Sequence, residues 1–235
     1  DLLDTFTGIR NALLFKKSGG FPIQKDDYKI LVPRIIYIRR IISLFLSILS
    51  LFFSIPLILV ISTLIKLETP GPIFFIQKRM GKNGELFNLY KFRTMYINSE
   101  DLLETLLTAN DQYYAEYKVF HKIKLDPRIT PLGRILRKTS LDELPQILNI
   151  LLGDMNFVGP RAYLPSEKNK MAGHNNIIHK VTPGLTGWWQ VMGRNNISFQ
   201  KRLELDVYYI RNFTFWLDFY IFMKTFTMIF TGNGV

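Results

Sequence analysis

The chain has 235 residues, which suffices for one ordinary domain with its own hydrophobic core. With 48% hydrophobic residues and a net charge of +11, its composition favours an anionic membrane surface or phosphate-rich substrates as partners. The absence of cysteine excludes disulfides and cysteine-ligated metals. Because there is no zinc-finger spacing, RNA-binding motif or long basic run, we expect no nucleic acid partner.

Residues 1–33 precede the first long hydrophobic segment. They begin with Asp1 rather than Met, and Ser18-Gly19-Gly20-Phe21-Pro22 has the composition of a linker. We predict that this region is a leader or the remnant of an upstream regulatory part.

An uncharged hydrophobic segment covers residues 41–65 and is long enough to cross a bilayer, which takes about 20 apolar residues. Pro56 interrupts it, and a proline inside a helix removes one backbone hydrogen bond and favours a kink. Basic residues flank both ends: Arg34, Arg39, Arg40, Lys66, Lys78, Arg79 and Lys82. Because positive charge marks the cytoplasmic side, we favour a re-entrant membrane hairpin over residues 41–66. The alternative is a tilted spanning helix.

Three further elements follow along the chain. Two strand-like segments, 73–77 and 86–90, flank Gly81-Lys82-Asn83-Gly84 and predict a β-hairpin. Residues 98–120 have the composition of a polar helix. A second helix is predicted over residues 141–152, where Gly153 would end it.

Two adjacent carboxylates follow two cations and precede a proline in the segment Arg137-Lys138-Thr139-Ser140-Leu141-Asp142-Glu143-Leu144-Pro145-Gln146. Because proline is tolerated in the first turn of a helix and disfavoured deeper in, Pro145 places Asp142 and Glu143 at or just inside a helix N-terminus. The helix dipole and the preceding cations favour the ionised form there, and an ionised, partly desolvated Asp can attack phosphorus. The alternative is a helix cap, because Ser140 and Glu143 have capping-box spacing.

The region 208–230 is dense in aromatic residues with scattered charges. This composition fits helices that lie in a membrane interface. An aromatic helix in the protein core fits it equally well, and the sequence leaves both interpretations open.

Six short blocks stand in order along the chain: residues 90–95, 126–130, 137–146, 153–155, 158–161 and 183–191. They closely resemble the bacterial sugar transferases, the monotopic polyprenyl-phosphate phosphoglycosyl transferases, and the resemblance runs from about Arg34 to the C-terminus. Residues 98–126 and the block 183–191, which contains Trp188 and Trp189, resemble the larger members of this family. Those members transfer a hexose phosphate to start O-antigen, capsule or exopolysaccharide synthesis. The resemblance implies that residues 34–235 form the catalytic domain, at the cytoplasmic face of the bacterial inner membrane.

The chemistry implied by the resemblance is transfer of a sugar-1-phosphate, with a hexose favoured, from a UDP-sugar to undecaprenyl phosphate. The products would be undecaprenyl-diphosphate-sugar and UMP. Asp142 would be the nucleophile that forms a covalent aspartyl intermediate, and Glu143 would assist it. Mg²⁺ would offset the diphosphate charge, with Asp142 as its protein ligand. Membrane lipids and a second copy of the chain, in a homodimer, are further expected partners.

Substrate binding is expected, by the same resemblance, at Lys91, Arg93, Arg137, Pro160 and Arg161. The arginines offer a planar fork that suits phosphate oxygens. Family members commonly read Pro-Arg-Pro where this chain has Pro160-Arg161-Ala162, so we expect Arg161 to be held less rigidly. Ile55 stands before Pro56 where the family has serine, which alters the polar support of the hairpin.

A catalytically silent, membrane-anchored scaffold that binds nucleotide sugars is the rival hypothesis. Retention of both Asp142 and Glu143 argues against it. The predicted fold class is α+β and mostly helical, with a re-entrant membrane hairpin, a small β-hairpin and interfacial amphipathic helices around the catalytic site.

Overall fold

The structure is a computed structural model that describes residues 28–230, apart from 110–112, 115–116, 118–122, 124–125, 172 and 194–196. Most of the predicted leader, residues 1–27, lies outside the described residues. The described part of it packs into the main core, where Tyr28 and Ile30 are buried. A 3₁₀ turn, Lys29–Leu31, then leads into the first helix.

The first helix, α1 (Pro33–Glu68), contains the whole hydrophobic segment and runs without interruption across Pro56. Pro33 occupies its first turn, where a missing N–H costs no hydrogen bond. Among the described residues, α1 is the one helix long and apolar enough to cross a membrane, judged by length and composition alone. Phe52 and Phe53 are each 71% exposed, so the rest of the chain leaves the middle of the helix uncovered.

The N-terminal end of α1 is attached through the buried side chain of Arg39. Its Nε donates to Asp218 Oδ2 at 3.0 Å. Its Nη2 donates to the Tyr209 hydroxyl and to the Val158 carbonyl oxygen, each at 2.7 Å. A buried guanidinium needs such partners, because removing a charge from water without pairing it is costly.

The C-terminal end of α1 packs through a second, smaller hydrophobic cluster. Its buried members are Ile61, Ile65, Phe92 and Leu136. Arg93 secures the exit from the helix by donating to the carbonyl oxygens of Thr69 and Pro70. Both ends of α1 therefore contact the rest of the chain.

The predicted β-hairpin is confirmed. Strands β1 (Phe74–Met80) and β2 (Leu86–Phe92) pair antiparallel, with Phe75 opposite Lys91 and Arg79 opposite Phe87. The turn between them contains Asn83 at φ 58°, a left-handed conformation that Asn tolerates better than most residues.

Two helices follow, α2 (Ser99–Ala109) and α3 (Pro131–Thr139). The first lies within the polar helix predicted over residues 98–120, part of which is outside the described residues. At the start of α3 the Thr130 hydroxyl accepts from the Gly133 N–H at 2.9 Å, which caps the helix. A Cβ on Gly133 would lie 2.2 Å from the Thr94 carbonyl oxygen, so glycine is required for this close approach.

The single helix predicted over residues 141–152 is wrong. A 3₁₀ turn, Leu141–Glu143, comes first, and α4 (Gln146–Leu152) begins after Pro145 and ends at Gly153. A helix through Asp142 cannot continue past Pro145, because proline lacks the N–H for the helical hydrogen bond and its ring crowds the preceding turn. The two carboxylates therefore lie in a short turn ahead of the helix.

The next segment forms a small parallel pair of strands, β3 (Asn156–Val158) with β4 (Gly184–Thr186). Between them lie a 3₁₀ segment, Pro165–Met171, and α5 (Asn175–Ile178). A Cβ on Gly184 would lie 2.1 Å from the backbone nitrogen of Gly159, so the two backbones touch. This contact fixes the start of the loop that carries Arg161.

The C-terminal part contains α6 (Trp188–Met192), α7 (Phe199–Arg211) and α8 (Phe215–Phe230). The aromatic residues divide between the two interpretations left open by the sequence. Tyr209, on α7, is completely buried in the core, whereas Trp216 and Phe219, on α8, are at least half exposed. The fold is thus mostly helical with a small β-hairpin, as predicted.

Candidate active site

The two carboxylates are positioned by the turn between α3 and α4. Ser140 adopts a left-handed conformation at φ 57°, which ends α3 and redirects the chain. Leu141 and Leu144, which flank the carboxylates, pack on the second hydrophobic cluster and hold the turn in place. The helix-cap alternative is wrong, because the Ser140 side chain makes no capping hydrogen bond and Glu143 bonds a lysine.

That lysine is Lys91, on β2. Its Nζ lies 2.6 Å from Glu143 Oε1 and 3.9 Å from Asp142 Oδ2. The structure thus brings together three residues predicted for the site, from segments more than fifty residues apart in sequence. The lysine neutralises part of the carboxylate charge from one side, as a phosphate site requires.

Asp142 is a largely buried acid, with its side chain 13% exposed. Burial, together with the negative charge of Glu143, raises the pKa of its carboxyl to about 6 against the opposing charges of Lys91 and Arg137. The sequence predicted that cations and a helix dipole would favour the ionised form, but burial is the stronger effect here. The carboxylate is still mainly ionised at neutral pH.

Arg137 lies close enough to Asp142 for the two charges to interact. Its Nε donates to the Thr94 hydroxyl at 2.9 Å, and burial lowers the pKa of its guanidinium. Arg93, also predicted to bind substrate, donates two hydrogen bonds to the carbonyl oxygens of Thr69 and Pro70, which directly follow α1. Its contacts with the protein are therefore those of a residue that supports the helix.

Arg161 and Pro160 follow β3. The Pro160 carbonyl oxygen accepts from the Gly184 N–H at 2.9 Å. The Arg161 backbone N–H donates to Asp206 Oδ2 at 3.0 Å, and the same oxygen accepts from the Tyr163 hydroxyl at 2.8 Å. The looser Arg161 expected from the missing second proline is countered here by a buried carboxylate that holds the loop at two points.

Asp206 should therefore be a positioning residue for Arg161. Replacing it with Ala leaves the Arg161 N–H and the Tyr163 hydroxyl without acceptors, at a cost of about 1–3 kcal/mol for each buried group. We expect Asp206→Ala to lower the melting temperature. We also expect it to raise the concentration of UDP-sugar needed for half the maximal rate of sugar-phosphate transfer. Asp206→Asn, which retains an acceptor oxygen, should recover most of both losses. Equal donor dependence in wild type and Asp206→Ala would contradict this role.

Two further arginines accompany Arg161. Arg79, on β1, donates from Nη1 to the Ala162 carbonyl oxygen at 3.1 Å. Arg202, on α7, lies over the Trp189 ring at 5.0 Å from its centroid, and Arg161 lies over the same ring at 5.4 Å. Burial and the charge of Arg161 lower the pKa of Arg79 to about 10, while Glu167 and Glu143 oppose the shift. We call Arg79, Arg161 and Arg202 the arginine cluster.

The carboxylate pair fits the magnesium ion implied by the resemblance in one respect. Magnesium usually takes one or two carboxylates together with phosphate oxygens, and Asp142 and Glu143 supply two adjacent acids. Within the described part of the chain there is no group of three or more acidic or histidine side chains that could hold a metal. A magnesium ion here would thus depend on phosphate oxygens of the substrate, and it stays a prediction.

Comparison with known proteins supplies the family. The family model for bacterial sugar transferases matches residues 34–232. The chain belongs to the bacterial sugar transferase family. The resemblance drawn from the six sequence blocks is therefore confirmed, and the matched span of this sugar transferase contains α1 except for its first residue, the carboxylate turn and the arginine cluster.

Three relatives illustrate the range of this family. The undecaprenyl-phosphate galactose phosphotransferase of Salmonella typhimurium is 38% identical over 198 residues, which are 84% of this chain and 41% of that protein. The exopolysaccharide production protein ExoY of Sinorhizobium fredii is 37% identical over 196 residues, 83% of this chain and 87% of ExoY. The UDP-N-acetylgalactosamine-undecaprenyl-phosphate N-acetylgalactosaminephosphotransferase of Aeromonas hydrophila is 37% identical over 215 residues, 87% of this chain and 47% of that protein. The chain spans less than half of the Salmonella and Aeromonas relatives and most of ExoY.

Sequence reasoning about this sugar transferase missed three residues at the site. Arg79 stands in the sequence among the basic residues that flank the hydrophobic segment, and Arg202 lies outside all six blocks. Asp206 had a detectable signal, because it is a lone acid in the apolar stretch Leu205-Asp206-Val207-Tyr208-Tyr209-Ile210. A charge in such a stretch requires a partner when it is buried.

Proposed function

We propose that this sugar transferase moves a sugar-1-phosphate, with a hexose favoured, from a UDP-sugar to undecaprenyl phosphate and releases UMP. The reaction would begin O-antigen, capsule or exopolysaccharide synthesis. The observation that carries the proposal is the buried Asp142 beside Glu143, faced by Lys91 and Arg137. The names of the Salmonella and Aeromonas relatives, which specify galactose and N-acetylgalactosamine phosphotransfer with undecaprenyl phosphate, support the substrate class.

The first half-reaction is an attack of Asp142 on the β-phosphorus of the UDP-sugar. A bond forms between a carboxylate oxygen and phosphorus, and the bond from that phosphorus to the oxygen bridging the two phosphates breaks. UMP leaves with the bonding electrons, and the sugar phosphate stays on the aspartate. Lys91 and Arg137 reduce the repulsion between the carboxylate and the diphosphate, and burial keeps water from the reacting atoms.

The second half-reaction returns the enzyme to its starting state. A phosphate oxygen of undecaprenyl phosphate attacks the same phosphorus, and the Asp142 carboxylate leaves. Undecaprenyl-diphosphate-sugar forms without transfer of a proton, because the Asp142 carboxylate and the phosphate of undecaprenyl phosphate are both already anionic. Two displacements let a soluble donor and a lipid acceptor use one set of cations in turn.

Mg²⁺ belongs to the same proposal. Asp142, with Glu143 beside it, would hold the ion together with phosphate oxygens of the donor. When bound, the ion supplies further neutralisation of the diphosphate charge.

The membrane part of the proposal is that α1 enters and leaves the bilayer on the cytoplasmic side. In a straight helix residues 40 and 69 would be about 43 Å apart. Arg40 donates to the Ile150 carbonyl oxygen, and Arg93 donates to the Thr69 carbonyl oxygen. Ile150 and Arg93 belong to one compact region. Asn149, next to Ile150, accepts a hydrogen bond from the N–H of Tyr90, which lies on the strand that leads to Arg93. This geometry favours a bent, re-entrant α1 over a straight spanning helix, with Pro56 at the bend.

The pH dependence of the first half-reaction follows from Asp142. The carboxylate is the nucleophile, so protonation below a pKa of about 6 removes it, and the single-turnover rate should rise with pH to a plateau near 7. Lys91 lowers this pKa, so Lys91→Met should move the midpoint to higher pH. Lys138→Met is the matched control, because Lys138 is exposed and should leave the midpoint unchanged. A rate that is flat from pH 5 to 8 would contradict the assignment.

Intact-protein mass spectrometry tests the function directly. The protein, in detergent with Mg²⁺, is incubated with a panel of UDP-sugars and no lipid. We expect a covalent sugar-phosphate adduct with at least one donor, located at Asp142 by peptide mapping and discharged by undecaprenyl phosphate. Lipid product without an adduct would support direct transfer instead. Absence of both would leave the catalytically silent scaffold.

A further inference from the structure

The arginine cluster lies beside the carboxylates and contains two residues that the sequence did not predict for the site. We propose that Arg161 and Arg202, which lie over Trp189, and the neighbouring Arg79 hold the uridine-side phosphate of the donor and then UMP as it leaves. This inference rests on the function proposed above. It adds the place where the nucleotide half of the donor is bound.

The three guanidiniums converge from separate parts of the fold. Arg161 and Arg202 both lie over the indole of Trp189, at 5.4 and 5.0 Å from the ring centroid. Arg79 binds the carbonyl oxygen of Ala162, the residue after Arg161. Trp189 is buried, so its ring is a fixed platform that both cations contact.

The charge of this cluster calls for an anion. Within the described residues none of the three arginines forms an ion pair, whereas the buried Arg39 and the partly buried Arg128 each do. The Nε atoms of Arg79 and Arg202 are buried and have no acceptor in the described structure. Buried donors are normally satisfied, and phosphate oxygens are strong acceptors for guanidinium groups.

The cluster is also within reach of the reacting centre. Lys91 lies opposite Phe75 in the hairpin, and side chains on a strand alternate, so Arg79 projects from the same face as Lys91. Four residues of strand separate the two positions by about 13 Å. Glu143, which bonds Lys91 at 2.6 Å, also acts electrostatically on Arg79, so a diphosphate placed at the carboxylates can extend from Lys91 toward Arg79. The β-phosphate then lies at Asp142 and the other phosphate lies toward Arg79.

The hydrophobic surroundings favour the nucleotide over the lipid acceptor as the ligand of this cluster. Asp142 and Glu143 stand between Leu141 and Leu144, which pack with the hydrophobic cluster at the C-terminal part of the membrane helix α1. A phosphate on a lipid is therefore expected on that side. Arg79, Arg161 and Arg202 are not next in sequence to any residue of that hydrophobic cluster. The arginine cluster therefore suits the phosphate of a water-soluble nucleotide better than the phosphate of a lipid.

Direct binding of UMP is the first test. Titration calorimetry in detergent, without any sugar donor, compares wild type, Arg202→Met and Lys201→Met. We expect UMP to bind the wild type and to bind Arg202→Met roughly ten- to a hundredfold more weakly, as for loss of one charge-assisted contact. Lys201 is the adjacent cation on α7 and bonds Glu204 at 2.8 Å, so its replacement should have no effect on UMP affinity. Unchanged UMP affinity in Arg202→Met overturns the proposal.

The two half-reactions then separate the possible phosphates. Arg202→Met should raise the UDP-sugar concentration for half-maximal adduct formation by a factor similar to the loss of UMP affinity. Discharge of a preformed adduct by undecaprenyl phosphate should keep its wild-type rate, because no nucleotide is present. Slower discharge with unchanged UMP binding would assign the cluster to the lipid phosphate and reject our proposal. Melting curves of the variants show whether each protein remains folded.

The titration also distinguishes this inference from the function on which it rests. If no UDP-sugar gives an adduct or product, but UMP binding still depends on Arg202, the proposed reaction is wrong and the nucleotide site stands. If turnover proceeds normally and UMP affinity does not depend on Arg202, the reaction stands and the site is rejected.

Discussion

Replacing Asp142 with Asn should abolish sugar-phosphate transfer, by a factor on the order of 10³ or more. An amide oxygen is a poor nucleophile, and the variant loses the negative charge that Lys91 and Arg137 face. The fold should be retained, because Asp142 lies in a turn held by the packing of Leu141 and Leu144. The measurement is adduct mass together with radiolabelled lipid product.

Two further variants sharpen this experiment. Asp142→Ala removes any activity that could arise from slow conversion of the new Asn back to Asp. Asp101→Asn changes an exposed acid on α2 and should retain full activity. Substantial turnover in both Asp142 variants would eliminate this residue as the nucleophile and direct attention to Glu143, which is hydrogen-bonded to Lys91.

The sequence was sufficient to predict the elements whose chemistry is local. The β-hairpin follows from two apolar segments around a glycine-rich turn, and the carboxylate pair stands out because acids, cations and a proline are adjacent. The exact form of that turn was missed. Local rules permit Pro145 within the first turn of a helix. In the structure a short 3₁₀ turn, Leu141–Glu143, ends before Pro145, and a separate helix begins after it.

Contacts between distant segments could not be predicted in the same way. Asp206 supports Arg161 across 45 residues, and Arg39 meets Asp218 across 179 residues. Neither pair has a spacing that a single sequence reveals, because each depends on how helices pack. The aromatic C-terminal region shows the same limit, since burial of Tyr209 and exposure of Trp216 depend on which surfaces the other helices cover.

Replacing Asp218 with Ala should destabilise the protein by about 3–5 kcal/mol, because it leaves Arg39 as a buried charge without its carboxylate. Arg39 is 5% exposed, and its carboxylate partner also accepts from the Tyr209 hydroxyl, so two groups lose their acceptor. We expect a fall in melting temperature on the order of 10 °C in one fixed detergent. The destabilisation would be greatest at the contact between α1 and α8, so protease cleavage near this contact should increase as well.

Two comparisons separate this effect from a general loss of charge. Glu204→Ala removes a partner from the more exposed Lys201–Glu204 pair and should cost less than about 1 kcal/mol. The double variant Arg39→Met with Asp218→Leu replaces the whole buried pair by apolar groups and should recover much of the stability lost by Asp218→Ala. An Asp218→Ala protein as stable as wild type would mean that Val158 and Tyr209 alone satisfy Arg39. The attachment of α1 would then depend on its hydrophobic contacts instead of on this ion pair.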